Sequence, residues 1–455
     1  MNRPQAVNLT IWCVLANVFL WSQTLLFGFV WDDYPTVVSN VSLREWNVLW
    51  KAFLHDFWAL HNHPQMSGYW RPLVTVVYSL IGHLFSFNAW IFHGLSISIH
   101  TTNAILVKKI FDELNKEVKY SLACFAMLLF AFHPVQSETV SFISALPDLL
   151  SALGGLWMTY CLLKTDSNLK RRMVFSSLGL VVALLSKESG LSFALLALVL
   201  TISSSRSRSQ KLIEVSVWLS LASIYVALHG MVGFPKLSEF PGGALEGADR
   251  IKLVIDAFWN HIVLLVCPWT ISPLKTLSLN VWDIWTGLKA GVLLMAVFFS
   301  IRIYIQKVNY RIPILMFWCF WLPVSFLFPL EKHMAARYDY LLVIPYVYIL
   351  TREIKETFIL FAIVCLFAIG SFYHAQKWKS DEKLWGTLIE YDNASSVVWN
   401  QWGVIRLKQN KFESAFNAFA MARSLDPGYQ EAFFNEIVTL VKSQKLRIAM
   451  PRMEE

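Results

Sequence analysis

Hydrophobic residues along this chain come in long blocks that are separated by short polar joints. A helix needs about 20 apolar residues to cross the hydrocarbon core of a bilayer. Several blocks are that long and others are somewhat shorter, so the pattern predicts an all-α, polytopic membrane helix bundle of about eleven spans. The predicted spans are 8–30, 88–108, 118–133, 146–163, 172–186, 189–204, 211–232, 283–305, 311–330, 338–351 and 356–374.

Two further apolar stretches, 72–86 and 250–271, are interrupted by polar residues such as Ser79 and Asp256. We expect both to form helices that lie in the outer membrane interface. If both cross the membrane instead, the count rises to thirteen. The first span, 8–30, is longer than the core of a signal peptide and lacks a small-residue cleavage site, which favours a retained span.

The composition agrees with a membrane protein and changes how the charge is interpreted. The 455 residues are 56% hydrophobic and only 15% charged, whereas about a quarter of the residues in a soluble domain are charged. The formal net charge of +8 lies largely in five joints between the apolar blocks. It therefore predicts orientation in the membrane and excludes a nucleic-acid partner.

The five basic joints fall on one side of the membrane in the eleven-span arrangement. They contain Lys108, Lys109, Lys116 and Lys119; Lys164, Lys170, Arg171 and Arg172; Arg206, Arg208 and Lys211; Arg302, Lys307 and Arg311; and Arg352 and Lys355. The rule of positive cytoplasmic loops then places a first loop, 31–87, a second loop region, 233–282, and the C-terminus on the outer side. We expect a bacterial inner membrane or endoplasmic reticulum protein whose active site faces the periplasm or lumen.

The composition becomes polar from about residue 376, which divides a membrane domain, 1–375, from a helical domain, 376–455. The spacing of seven residues at 396–429 fits one tetratricopeptide repeat. These residues are Trp399, Trp402, Gly403, Ala415, Phe419, Ala422 and Pro427. One unit cannot bury its own face, so residues 377–392 and 430–447 are expected to flank it. An amphipathic helical hairpin unrelated to such repeats is the alternative.

Candidate chemistry gathers in the predicted outer loops. Asp32 and Asp33 directly follow the first span, with Tyr34 beside them, and either carboxylate could act as a general base towards a hydroxyl group. A polar cap on the end of a span is the alternative. An acidic residue at the depth of Asp148 is costly to bury and usually functional, or it is only a helix N-terminal residue after Pro147.

Several basic residues lie on the same predicted outer side. Arg337, next to Tyr338, suits phosphate recognition because the fork of a guanidinium matches phosphate oxygens. Lys187 either meets a phosphate or pairs with Glu188, and Arg71 lies among aromatic residues that suit a lipid headgroup or a sugar. A solvated or snorkelling basic side chain is the alternative for Lys187 and Arg337. An interfacial aromatic belt is the alternative for the segment around Arg71. A carboxylate base and several cations on one face indicate glycosyl transfer from a lipid phosphate.

The order of several segments resembles the transmembrane-and-tetratricopeptide (TMTC) proteins over about residues 25–430. The segments are WDDYPTVVSN, YWRPLVTVVYSL, FAFHPVQSETVSFISALPDLLSAL, LLSKESG, AARYDYL and KWKSDEKLW. The resemblance implies a GT-C fold like that of protein O-mannosyltransferases. It further implies a dolichyl- or polyprenyl-phosphate sugar donor, most often mannose, and a Ser or Thr hydroxyl of a protein as acceptor.

The resemblance also implies roles for individual residues. Asp32 or Asp33 would be the base, and Arg71, Lys187 and Arg337 would bind the donor phosphate. The remaining residues expected to line the site are Tyr34, His133, Glu138, Asp148, Glu188 and, beside the donor phosphate, Tyr338. Family members usually carry an acidic residue before the arginine that matches Arg337, whereas this chain has Ala336. That departure and the short repeat region leave the sugar and the acceptor open.

Other functions fit parts of the pattern. A transferase of the same fold that acts on lipid or polysaccharide is not separable from a protein transferase by sequence. A transporter would show repeated groups of spans, which are not evident, and an inactive scaffold would use the repeat to recruit a partner. No cofactor is expected to be required, although Asp32, Asp33 and Asp148 could together hold a divalent ion.

Overall fold

The computed structural model describes residues 3–61, 68–115, 120–164, 168–233, 247–273, 275, 282–328, 334–391 and 395–443. Within these ranges the chain forms α-helices joined by turns and short 3-10 helices, and no β-strand occurs among the described residues. The predicted all-α class is therefore confirmed.

The membrane domain contains fifteen α-helices in its described part. They are α1 Arg3–Trp21, α2 Val48–Lys51, α3 Pro72–Phe85, α4 Ala89–Leu114, α5 Tyr120–Ala131, α6 Gln136–Ser141, α7 Leu146–Leu163, α8 Leu169–Ser186, α9 Leu191–Ser203, α10 Arg208–Val232, α11 Gly247–Val266, α12 Ile284–Gln306, α13 Arg311–Trp321, α14 Val343–Glu353 and α15 Thr357–Ala375. Each predicted span overlaps one of these helices, while α2, α3, α6 and α11 lie between spans.

Local signals in the sequence set many helix starts. The side chain of Asn168 accepts a hydrogen bond from the backbone N–H of Arg171 at the start of α8. Ser207 and Asp283 cap α10 and α12 in the same way. Proline stands in the first turn of α3 and α7, where its missing N–H costs nothing. These caps lie in the polar joints that separate the apolar blocks.

The helices differ in their capacity to cross a membrane. In the described part of the chain, five apolar segments have the length and composition of a span: Asn8–Leu26, Ile143–Leu163, Arg208–Val232, Ile284–Gln306 and Thr357–Trp378. By contrast, α13 and α14 have 11 residues each, and a helix that short rises only about 17 Å. The protein is a multi-helix membrane protein, and the count of eleven spans stays a prediction.

Helices α7 and α8 cross with their backbones in contact. A Cβ atom on Gly154 would lie 2.4 Å from the carbonyl oxygen of Gly179, and one on Gly179 would lie 2.6 Å from the carbonyl oxygen of Gly154. No side chain fits at either position without separating the helices. Asp148 stands in the first turn of α7, and Lys187 follows the last residue of α8.

At the opposite end of these helices, a buried network joins two of the basic joints. The carboxylate of Glu214 in α10 is fully buried and pairs with Arg172 and Arg206, at 2.6 Å each. The hydroxyl of Thr201 also donates to Glu214, over 3.3 Å. Arg172 and Arg206, which the sequence identified only as orientation signals, therefore also connect α8, α9 and α10.

Helix α11 turns its polar residues towards the protein. Lys252 and Lys289 pair with the two carboxylate oxygens of Asp256, at 2.7 and 2.5 Å. His261 lies 2.8 Å from the carboxylate of Asp339. The polar interruptions in 250–271 are thus interior contacts of an amphipathic helix, and its predicted place in the outer interface stays a prediction.

The C-terminal helices are α16 Asp381–Tyr391, α17 Ser396–Lys408, α18 Phe412–Leu425 and α19 Gln430–Lys442. Helices α17 and α18 pack as a helical hairpin over 396–429, which fits both the predicted repeat and its alternative. Gly403 allows this close packing, because a Cβ atom there would lie 2.5 Å from the ring of Phe419. Helices α16 and α19 flank the hairpin, as a single repeat unit requires.

Candidate active site

A cavity of about 490 Å³ opens at the end of the bundle where α1 leads into the first loop. Seven of the predicted site residues line this cavity: Asp32, Arg71, Asp148, Lys187, Glu188, Arg337 and Tyr338. Apolar residues form another part of its wall: Leu191, Leu195, Phe320, Leu322, Val324 and Phe328. The predicted outer loops therefore bring charged groups that are distant in sequence to one partly apolar cavity.

The two adjacent aspartates occupy different environments. Asp32 lines the cavity. Asp33 is fully buried, and its carboxylate accepts hydrogen bonds from Val30 N–H at 3.0 Å and from the N–H and Oγ of Ser144 at 2.8 and 2.7 Å. Burial raises the pKa of the Asp33 carboxyl to about 7, while the hydrogen bonds from Ser144 and Val30 oppose this shift. Asp33 thus ties the first loop to the segment before α7.

Each cation at the cavity is paired with a carboxylate. The guanidinium of Arg71 donates from Nε and Nη2 to both oxygens of Glu188, over 2.9–3.1 Å. Lys187 Nζ lies 2.5 Å from Asp148. Arg337 pairs with Glu138, which is fully buried behind it and does not reach the cavity surface. Glu138 supports a site residue instead of lining the site.

Aromatic rings lie beside these cations. The guanidinium carbon of Arg71 lies 4.4 Å from the ring centre of Tyr69. Tyr338 lies between Lys187 and Arg337, with distances of 5.8 and 5.5 Å from its ring centre. Burial lowers the pKa of Lys187, whereas pairing with Asp148 opposes that shift. The cavity therefore combines fixed cations with flat ring surfaces.

Two further predicted lining residues, like Glu138, do not reach the cavity. Tyr34 is exposed and lies beneath Lys408, whose Nζ is 4.8 Å from the ring centre. His133 is fully buried; its Nδ1 accepts from Val135 N–H, and its Nε2 lies 3.0 Å from the carbonyl oxygen of Leu265. Both residues connect structural elements.

Sequence reasoning missed other residues of the site. Ser144 binds Asp33 and also lies 2.8 Å from the hydroxyl of Thr36, and all three positions meet next to the cavity. Phe142 lines the same wall. Only its place between the HPVQSE segment and Asp148 could have drawn attention to Ser144. Among the described residues, no three His, Cys, Asp or Glu side chains form a group that could hold a metal ion.

Curated proteins similar to this chain share one activity in their names. A Caenorhabditis elegans protein O-mannosyl-transferase, F38B6.6, is 22% identical over 94% of this chain and 64% of its own length. The human protein O-mannosyl-transferase TMTC4 is 30% identical over 36% of this chain and 25% of its own length. Tmtc3 of Drosophila melanogaster, also a protein O-mannosyl-transferase, is 26% identical over 42% and 24%.

The chain is a homologue of the TMTC proteins. The resemblance stated from the sequence is therefore confirmed, although the chain spans from about a quarter to less than two thirds of the length of these relatives. No family model matches the chain. Among solved structures, the apo oligosaccharyltransferase of Archaeoglobus fulgidus matches with a TM-score of 0.40 and 12% identity, over 83% of this chain and 56% of that one. A likeness at that level supports no statement about activity.

Proposed function

We propose that the protein is a membrane glycosyltransferase that moves a sugar from a polyprenyl- or dolichyl-phosphate donor to a hydroxyl acceptor. The observation that carries the proposal is that one cavity is lined by Asp32 together with Arg71, Lys187 and Arg337. A carboxylate for the acceptor and cations for a phosphate are the two groups that this reaction needs. The relatives named above have a reaction of this class in their names.

The walls of the cavity suit the two parts of such a donor. Arg71 and Arg337 present guanidinium forks that match phosphate oxygens, and Lys187 adds a compact positive charge. The apolar wall, which includes Leu195 and Phe320, suits the first isoprene units of the lipid. Tyr69 and Tyr338 offer flat faces on which a sugar ring can stack.

The proposed reaction is an inverting displacement. As the acceptor oxygen attacks the anomeric carbon, the carboxylate of Asp32 takes its proton. A new carbon–oxygen bond forms on one side while the bond from the anomeric carbon to the phosphate oxygen breaks on the other. The lipid phosphate leaves with that electron pair, and the three cations offset the developing charge.

The ion pairs prepare the cations for this role. The carboxylate partner fixes each cation before the donor arrives, so little reorganisation is needed when charge develops. The partner of Arg337 is Glu138, which lies in a different part of the chain. Arg337 is therefore paired although Ala336 replaces the acidic residue usual in the family.

The finer assignments follow the resemblance and the names of the relatives. We infer mannose as the sugar, Ser or Thr of a protein as the acceptor, and the periplasmic or lumenal side as the location of the cavity. No metal is expected to be required. Transfer to a glycolipid or polysaccharide would change the proposed acceptor and leave the proposed reaction class unchanged.

The test is sugar transfer by purified protein from radiolabelled polyprenyl-phosphate mannose to a membrane extract, with and without a chelator. We expect Asp32→Asn to reduce transfer by about 10²- to 10⁴-fold, the usual contribution of a general base. Asp33→Asn is the matched neighbour; it removes no group from the cavity wall, so it should reduce transfer much less than Asp32→Asn. Label in lipid would revise the acceptor. Absence of both transfer and donor hydrolysis in wild type, with several sugars tried, would overturn the proposal.

A further inference from the structure

The residue before Asp32 has an unusual backbone conformation. Trp31 has a φ angle of +50°, in the left-handed region that bulky side chains rarely adopt. Such a conformation persists only where surrounding contacts enforce it. Because Asp32 follows directly, the conformation of Trp31 sets the direction in which the Asp32 side chain leaves the backbone.

The contacts that enforce this conformation come from the C-terminal helices. The backbone N–H of Trp31 donates to the Oδ1 of Asp381 over 2.8 Å, across 350 positions of sequence. Asp381 is the first residue of α16. From the next turn of the same helix, Trp385 meets the Trp31 ring edge to face, with 5.3 Å between ring centres. One helix therefore contacts both the backbone and the ring of Trp31.

The contact continues to the cavity wall. The Trp31 ring also stacks on Phe142, with ring centres 5.7 Å apart, and Phe142 lines the cavity. Phe142 stacks in turn on Trp378, at 4.7 Å, just before α16. The backbone N–H of Gly28 donates to the carbonyl oxygen of Lys379 over 3.2 Å. The first loop and the start of the C-terminal domain thus share one aromatic core.

We propose that Asp381 is a positioning residue for the transferase reaction: by binding the backbone of Trp31, the C-terminal domain directs Asp32 into the cavity. The proposal rests on the proposed function, since it takes Asp32 as the base. Asp33, which follows Asp32, is held by Ser144 and Val30. Asp32 therefore stands between two held residues, Trp31 by Asp381 of the C-terminal domain and Asp33 by Ser144 of the membrane domain.

The chemistry of this contact gives a conservative substitution. The Trp31 N–H needs only an acceptor oxygen, which asparagine provides without a charge. Burial raises the pKa of the Asp381 carboxyl, while the hydrogen bond from Trp31 opposes this shift. Asp381→Asn should therefore preserve what Asp381→Ala removes.

The next residue offers a matched control. Glu382 also stands in the first turn of α16, but its side chain is exposed and pairs with Arg406 of the same domain, over 3.2 Å. Glu382→Ala removes a carboxylate and its interaction with the helix dipole without touching Trp31. Any effect confined to Asp381→Ala is therefore specific to the contact with Trp31.

The experiment compares wild type, Asp381→Ala, Asp381→Asn and Glu382→Ala in the full chain. Hydrogen exchange at the Trp31 amide reports the contact itself, and transfer from polyprenyl-phosphate mannose reports kcat and the donor KM. In Asp381→Ala we expect faster exchange and a kcat lower by about 10- to 100-fold, the effect of a misplaced catalytic group, with the donor KM unchanged. The other two variants should match wild type.

Four results would overturn the proposal. Unchanged exchange in Asp381→Ala would show that Asp381 does not hold Trp31, and faster exchange with unchanged kcat would show that the contact is only structural. Equal losses in Asp381→Asn and Asp381→Ala, or in Glu382→Ala, would also contradict it. Absence of transfer in wild type would instead refute the proposed function, while hydrogen exchange would still report on the contact.

Discussion

The two ends of the helix bundle both contain buried or partly buried ion pairs, but the pairs are arranged differently at each end. At the basic end, the single carboxylate of Glu214 is fully buried and meets two arginines and a threonine hydroxyl. At the cavity end, Arg71, Lys187 and Arg337 each have a carboxylate of their own, and all three cations line the cavity.

This difference separates a structural use of charge from a binding use. A buried carboxylate that accepts from several donors has its lone pairs occupied, so it can only connect the elements that supply those donors. A guanidinium has five N–H donors, and a pair with one carboxylate leaves capacity for a phosphate. Similar residue types therefore connect α8, α9 and α10 at one end and prepare an anion site at the other.

The largest effect on stability is expected at the basic end. Glu214→Ala leaves Arg172 and Arg206 without their buried partner, and loss of one member of a buried pair costs about 3–5 kcal/mol of unfolding free energy. Thermal unfolding in detergent measures this cost. Transfer per folded molecule should be unchanged. A stable variant that has lost transfer would erase the proposed distinction between the two ends.

The next largest effect is expected at Arg337. Arg337→Gln removes one cation that offsets charge on the leaving phosphate, and loss of one such donor slows catalysis by about 10²- to 10³-fold. Transfer rates per folded molecule test this. Arg337→Lys, which keeps the charge without the fork, should fall between wild type and the glutamine variant. Arg206→Gln is the matched change at the basic end and should alter stability alone.

The smallest effect is a shift in pH dependence at Lys187. Burial lowers the pKa of this ammonium, so it loses its charge at a lower pH than an exposed lysine, and donor affinity should weaken on the alkaline side. Lys187→Arg keeps a charge throughout that range, because a guanidinium stays protonated. A pH series of donor KM should therefore show the alkaline weakening in wild type and not in the variant. Identical pH profiles in wild type and Lys187→Arg would show that another group causes the alkaline weakening.

The positions of the helices in the membrane domain could largely be predicted. The thickness of the hydrocarbon core restricts the length of the apolar blocks that can cross it. Each apolar block overlaps a helix, and the caps lie in the polar joints. The number of crossings could not be predicted in the same way. Short helices such as α13 and α14 depend on their neighbours for their depth in the bilayer, and an amphipathic helix such as α11 hides its polar residues against partners that are distant in sequence.

The site was predictable as a group of charges and less so residue by residue. Asp32 and Asp33 are adjacent and alike, and what separates them is the conformation of Trp31 and the hydroxyl of Ser144, which no local pattern reveals. His133 has the residue type of a catalytic group, yet both of its ring nitrogens serve the backbone. The partnership of Glu138 with Arg337 joins positions 199 residues apart.

The crossing of α7 and α8 has a consequence for how the cavity can be altered. Asp148 and Lys187 stand at the ends of these two helices, 2.5 Å apart. Gly154 and Gly179 fix the separation of the helix axes within the bundle. Replacing a lining residue changes one contact with a bound ligand. Widening the crossing of α7 and α8 instead displaces Asp148 and Lys187 together. Sugar or lipid preference is therefore easier to change at the cavity wall than at Gly154 and Gly179. These two glycines do not line the cavity.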